Sequence, residues 1–228
     1  MRLCICICTC ERPAGLALLL RAIDRQRLGS LADSALRILV VDNGRSDAAI
    51  PVVEAYRNEG RFPITYAREP VRGLAAVRNR SLAAAHALGA DWIALIDDDE
   101  VPDPDWLRSL LDTALRVGVP ACVGPVVPLF DRVPPAWATA GGFFAKTLPV
   151  RNGLVADAYT ANALLDLRVV TALGLSFDMR FNTMGGEDTF FFHALLRAGH
   201  KIAWAPDAIV YDSIPAHRMR VRWLLARW

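Results

Sequence analysis

The sequence predicts an α/β domain: a mostly parallel central sheet flanked by helices. Three observations predict it. Short runs rich in β-branched residues alternate with helical patterns of 10–15 residues, as crossover units require. Hydrophobic residues make up 54% of the 228 residues, enough for a sizeable core. Polar and acidic residues sit where the strands end, and ligands of open α/β sheets bind at that rim.

Residues 3–9 read as the first strand, and Pro13 opens a helical pattern to about Arg27. The first strand and the turn after it hold Cys4, Cys6, Cys8 and Cys10, which a period of two places on one face. Same-face neighbours stand roughly 6.5–7 Å apart, poor geometry for a disulfide. Zinc sites use a two-residue gap and a second ligand pair elsewhere. Small residues packing a buried strand in a reducing compartment is therefore the reading taken, over a metal or redox cluster.

Residues 36–42, LRILVVD, form the second strand, with a helix from about Asp47 to Glu59. Residues 63–68 form the third, and residues 73–88 are rich in helix formers. Residues 91–97 are the fourth strand, and the next helix runs from Pro104 to Val117. After Val127 the alternation stops, and residues 128–165 read as irregular structure around a substrate pocket. Residues 166–174 suggest a short helix. A last helix opens at Glu187 and Asp188, with Phe191, Ala194, Leu195 and Ala198 as its buried stripe and Asp188 on that same face.

The fourth strand ends on Asp97, Asp98, Asp99 and Glu100. Like charges at the mouth of a core strand repel and are costly to desolvate. A divalent cation among them would relieve this, since Mg²⁺ typically takes one or two carboxylates plus phosphate oxygens. The other reading is a solvated turn capping the helix that starts near Pro104. Asp42 at the second strand end, with Thr9 and Glu11 at the first, favours the cation. Asp188 is suited to take a proton from a substrate hydroxyl, or simply to start its helix.

Composition excludes several classes. Lys plus Arg number 26 and Asp plus Glu 24, a net charge of +2 that gives no reason to expect nucleic-acid binding. No uncharged apolar stretch reaches the roughly 18–20 residues that span a bilayer. Leu3 to Cys10 lacks the cleavage site of a signal peptide, and the chain reads as cytoplasmic. The C-terminal HRMRVRWLLARW interleaves Arg218, Arg220, Arg222 and Arg227 with Trp223, Leu224, Leu225 and Trp228. Such a segment suits the inner face of an anionic membrane, or a terminal helix docked on the domain.

Taken in order, these stretches resemble the inverting nucleotide-sugar glycosyltransferases of family 2, with their GT-A-type (Rossmann-like) fold. ICTCERP resembles the family's first strand and turn, VVDNGRSD its second strand end, and GLAAVRNRSL its Gly and Arg-Asn segment. LIDDDEVPDPDWL resembles its D-x-D motif, and GGEDTFFFHALLRAG its Glu-Asp acceptor motif. The match covers nearly the whole chain.

The resemblance implies one glycosyltransferase domain over residues 1–228, with a donor-binding half at 1–127 and an acceptor-binding, catalytic half at 128–228. It implies that Thr9, Glu11, Asp42, Asn43, Arg78, Asp97 and Asp98 bind the nucleotide sugar. Asp99 would hold Mg²⁺ or Mn²⁺ on the diphosphate. Asp188 would be the general base, and Glu187, Gly186 and Trp106 would hold the acceptor, a glycan or lipid-linked sugar. Many relatives complete the metal site with a His. Here AIVYDSIPAHRM puts Asp212 in that slot, with His217 as the alternative. Relatives often continue beyond the position of Trp228. A nucleotidyltransferase, which would carry a Gly-rich phosphate loop where this chain has CTCERP, and an inactive binding module are the rival classes.

Overall fold

The computed structural model describes residues 1–144 and 148–223. Four strands, β1 (Leu3–Thr9), β2 (Leu36–Asp42), β3 (Ile64–Arg68) and β4 (Trp92–Asp97), pair in parallel in the order β3-β2-β1-β4. The helices between them are α1 (Pro13–Asp24), α2 (Ile50–Glu59) and α3 (Leu74–Ala87). The chain steps outward from β1 to β3, then returns to the other side of β1 for β4. The strand order therefore reverses between β1 and β4, and a crevice opens outside their carboxyl ends.

β1 shows why the sheet is buried on both faces. Leu3, Ile5 and Ile7 point into one core with Leu16, Leu19, Leu20 and Ile23 of α1. Cys4 and Cys6 point into the other, under the alanines of α3. Small side chains on both surfaces let α3 pack close to the sheet. All five cysteines are free, as the packing reading requires, but Cys10 lies beyond the strand. Each fully buried Leu or Ile stabilises the fold by about 1.5–3 kcal/mol.

The strip β5 (Glu100–Pro102) follows the acidic run, then α4 (Trp106–Val117), β6 (Ala121–Val123) and β7 (Val126–Phe130). Next come α5 (Ala136–Ala140), the short strands β8 (Val150–Arg151) and β9 (Leu154–Val155), and β10 (Asn162–Asp166). The chain closes with α6 (Leu167–Ala172), α7 (Glu187–Arg197), β11 (Ile202–Trp204) and β12 (Val210–Ile214). Residues 128–165 are thus not simply irregular. β10 is fully buried and runs antiparallel between β4 and β6, so the nine-stranded sheet is mixed rather than mostly parallel beyond β4. β11 resumes the parallel direction beside β6.

A second sheet, β5-β12-β7, folds over the carboxyl end of β4. In it Asp212 stands opposite Glu100, and the Ser213 N–H donates to the Asp99 carbonyl at 3.2 Å. The acidic run is therefore a turn between two strands, with the Asp97 N–H held by Glu100 Oε2 at 2.9 Å. It does not cap α4, whose first residue is Trp106. No helix among the described residues is long and apolar enough to cross a membrane.

Candidate active site

A cleft of about 470 Å³ lies at the β1–β4 crevice, within the size range of ligand sites. Its acidic wall is Asp97, Asp98 and Asp99, faced by Asp212 from β12, and Arg12, Arg78 and Arg218 also line it. Thr9 and Asn43 close it from the ends of β1 and the turn after β2.

Asp98 is only 4% exposed. It accepts from Thr9 Oγ1 at 2.7 Å and from Arg12 Nη1 at 2.9 Å. Burial pushes its pKa up, against the pull of the Thr9 bond and of Arg12. Asp99 Oδ2 accepts from two guanidiniums, Arg12 at 2.9 Å and Arg218 at 3.1 Å. Gly15 lets α1 approach this loop: a Cβ there would stand 2.5 Å from the Asp98 carbonyl oxygen.

Asp42 is buried, and both its oxygens are engaged, by the Gly44 N–H at 2.7 Å and by the Tyr66 hydroxyl at 2.9 Å. Glu11 is exposed and adopts φ 56°, aiming its carboxylate at the same turn. There it accepts from the Ser46 N–H at 2.8 Å, the Arg45 N–H and the Ser46 hydroxyl. These bonds, the hydroxyl first, hold its pKa down at about 2. Asn43 bonds the carbonyls of Glu69 and Val71 at 2.7 and 2.8 Å and fastens the strand to the approach to α3. As they stand, Asp42 and Glu11 shape the loop beside the cleft, with Asn43 on its wall.

At the far wall the Arg78 guanidinium donates to Glu187 Oε1, an ion pair with both partners buried. Glu187 Oε2 is buried with no protein partner among the described residues. Gly186, at φ 89°, makes the left-handed turn that starts α7. The buried face of α7 differs from the stripe expected from the sequence. Glu187 is the acid on the buried side, four residues before Phe191, while Asp188 is half-buried. Phe192 is buried in the stripe, and Ala198 is exposed. The half-exposed Asp188 is the better placed of the two to exchange a proton with a bound molecule.

One further expectation fails. Trp106 is 0% exposed, and its indole N–H donates to Asn162 Oδ1 at 2.8 Å. It is a core residue locking α4 to β10 and is not available to an acceptor. His217 is exposed and does not line the cleft, whereas Asp212 does. Of the C-terminal segment, Trp223 lines the cleft and stacks over Phe144 at 6.4 Å. Leu224, Leu225, Arg227 and Trp228 lie outside the described residues.

Arg12 and Arg218 were not singled out from the sequence as site residues. Arg12 is adjacent to the Thr9–Glu11 stretch, which was the available signal. Arg218 is brought in only by the pairing of β12 with β5 and β7, which no local pattern announces.

The described carboxylates do not form a closed cage for a divalent cation. Among the described residues no three His, Cys, Asp or Glu side chains are gathered closely enough to hold one. Asp99 and Asp212 do face one cleft with hard oxygen donors. Two carboxylates suit an ion that arrives with phosphate oxygens, not a preformed protein cage.

A family model described as "Glycosyl transferase family 2" matches residues 4–174. The chain is 36% identical over 222 residues to the succinoglycan biosynthesis protein ExoM of Rhizobium meliloti, covering 97% of this chain and 70% of ExoM. It is 26% identical over 247 residues to the hyaluronan synthase of Pasteurella multocida, covering 93% of this chain but 24% of that enzyme. The fold is similar to a crystal structure of S. aureus TarS 1-349 in complex with UDP, with a TM-score of 0.71 and 17% identity over 94% of this chain and 61% of that one. It is also similar to the mannosyltransferase PcManGT of Pyrobaculum calidifontis in complex with GDP-Man and Mn²⁺, with a TM-score of 0.67 and 17% identity over 94% of this chain and 57% of that one. This sets the nucleotidyltransferase reading aside: with its GT-A fold, the chain belongs to glycosyl transferase family 2 and is a glycosyltransferase.

Proposed function

We propose that the chain moves a sugar from a nucleoside-diphosphate sugar to an acceptor hydroxyl in one inverting displacement. The observation that carries this is the joint lining of one cleft by Asp97, Asp98, Asp99, Asp212 and Arg78, with Arg78 paired to Glu187 beside Asp188. Glu187 and Asp188 do not themselves line the cleft, and Arg78 links its wall to them. The relatives' names, which include a succinoglycan biosynthesis protein and a hyaluronan synthase, support a glycan or lipid-linked acceptor. The free cysteines suit a reducing, cytoplasmic setting.

In this reading the donor lies along the β1–β4 crevice. Residues 1–127 supply most of its contacts, and residues 128–228 supply the acceptor side together with Asp212. Asp99 and Asp212 would hold Mg²⁺ or Mn²⁺, which when bound neutralises charge on the departing diphosphate. Thr9, Asp98 and Arg12 fix the loop that carries Asp99. Asp42 and Glu11 hold the loop beside Asn43, through which they act on the nucleotide. Glu187, anchored by Arg78, offers Oε2 to an acceptor hydroxyl. Asp188 takes the proton as that hydroxyl oxygen attacks the anomeric carbon. The new C–O bond forms as the bond to the diphosphate oxygen breaks on the opposite face, and the electron pair leaves with the diphosphate.

A calorimetric screen of UDP, GDP and their sugars with and without Mn²⁺ tests the reading. Tight binding of one diphosphate only with Mn²⁺ is expected. Binding of none, or binding indifferent to the ion, would overturn the donor-site assignment.

A further inference from the structure

The cleft contains an imbalance that the proposed mechanism leaves unused. One oxygen, Asp99 Oδ2, holds two guanidiniums, Arg12 at 2.9 Å and Arg218 at 3.1 Å. The third cleft arginine, Arg78, is committed to Glu187. Arg12 has a second anchor, its 2.9 Å bond to Asp98 Oδ1. Asp99 is the carboxylate to which Arg218 is bonded.

Arg218 is also held so that its head reaches the cleft. Its guanidinium lies 5.8 Å from the centre of the Trp223 ring, and the neighbouring Met219 is buried in a small cluster with Phe144 and Ile214. The backbone is thus fixed by packing, while the head lines the cleft with 19% of the side chain exposed.

Asp99 is also a carboxylate that would hold the divalent cation, and Arg218, bonded to it, lines the same cleft that would take the diphosphate. The planar fork of a guanidinium matches phosphate oxygens two at a time. We propose that Arg218 is a diphosphate-binding residue, which leaves Asp99 for the phosphate oxygens of the donor while Arg12 stays on Asp98. This rests on the donor-site reading above. As the bond between anomeric carbon and diphosphate oxygen breaks, the electron pair remains on that oxygen, and Arg218 balances the charge that builds there.

The test compares diphosphates with monophosphates. UDP, GDP, UMP and GMP are titrated by calorimetry, with Mn²⁺, into the 228-residue chain and its Arg218→Gln and Arg218→Lys variants. Circular dichroism checks that the variants are folded. Loss of one charge-assisted contact predicts that Arg218→Gln weakens the preferred diphosphate by at least about tenfold. The matching monophosphate should change less than about threefold, since most of the contact is made to the second phosphate. Arg218→Lys, which keeps the charge but not the fork, should fall between. Equal losses for diphosphate and monophosphate would overturn the proposal, because a residue that only holds Asp99 in place acts on both. Diphosphate binding within about twofold of the parent chain in Arg218→Gln would overturn it too, leaving the donor site intact. If the parent chain binds neither diphosphate, the donor-site reading fails and this inference fails with it.

Discussion

Arg78 of α3 and Glu187 of α7 form a buried ion pair across 109 residues of sequence. The pair joins the cleft wall to the first turn of the helix that carries Asp188. Phe177 lies 5.7 Å beneath the guanidinium and stacks on Phe191 at 4.4 Å. The charged pair thus sits on an aromatic floor that excludes water, which strengthens its attraction and raises the cost of removing either member.

Breaking a buried pair by deleting one partner leaves an uncompensated charge and costs about 3–5 kcal/mol. Arg78→Met or Glu187→Leu should therefore each destabilise strongly in urea unfolding. The double variant should lose less than the sum of the two, because it leaves no orphaned charge. Additive losses would show that the two side chains do not depend on each other.

Asp99→Asn and Asp212→Asn should each nearly abolish Mn²⁺-dependent binding of the nucleoside diphosphate with the fold intact. His217→Ala should bind as the parent does, because His217 lies off the cleft. Calorimetry with UDP and GDP reads all three. A strong loss in His217→Ala with none in Asp212→Asn would exchange the two assignments.

Gly15 faces the Asp98 carbonyl oxygen, which a Cβ would approach to 2.5 Å. Overpacking of this kind costs typically about 1–3 kcal/mol, and each kcal/mol lowers Tm by about 2–4 °C at this size. Gly15→Ala should lower Tm accordingly and weaken nucleotide binding by shifting the acidic loop. Unchanged Tm and binding would mean that α1 retreats freely and the close approach is not required.

The parallel half of the fold was legible because β1, β2 and β4 are largely apolar runs buried on both faces, and the partly exposed edge strand β3 is a short run with β-branched and aromatic residues between helical patterns. The strands β1 to β4 and the helices between them follow from that pattern. β10 was not legible. Its five residues, NALLD, are embedded in a stretch of Pro, Gly and aromatic residues, and what makes them a strand is pairing with β4 and β6. The small sheet that carries Asp212 to Asp99 depends on the same kind of long-range pairing. Trp106 was misread because an aromatic next to an acidic motif looks the same in sequence whether it faces a ligand or the core. Asn162, its indole partner, is 56 residues away.

Glu11 gives the site a pH dependence of known sign. Its carboxyl is held at about 2, below the ordinary 4.5, by the Ser46 hydroxyl and the Arg45 and Ser46 amides. A carboxyl with a depressed folded pKa adds stability that is fully present above its unfolded pKa and is lost as pH falls toward the folded one. The window is therefore about pH 4.5 down to 2. Carbon-detected NMR should show Glu11 titrating near the bottom of that window, with the Arg45–Ser46 amides shifting in step. Titration near the ordinary value would show that the turn does not hold the carboxylate in solution.

Asp188 is the residue on which the proposed chemistry turns. It is half-buried at the start of α7, with Oδ1 accepting the Thr189 N–H at 2.8 Å. Asp188→Asn keeps the shape but cannot take the acceptor proton. General base catalysis is worth typically about 10²–10⁴ in rate, so transfer should fall by that order. Donor affinity should hardly change, because the donor contacts lie at Asp97 to Asp99 and Asp212. Glu187→Gln should instead raise KM for the acceptor more than it lowers donor binding. A sugar-transfer assay with the donor found by screening gives both numbers, and NMR of the product gives the anomer. Retention of the donor's configuration would rule out a single displacement. Near-normal turnover in Asp188→Asn would leave Asp188 as a residue that merely starts a helix.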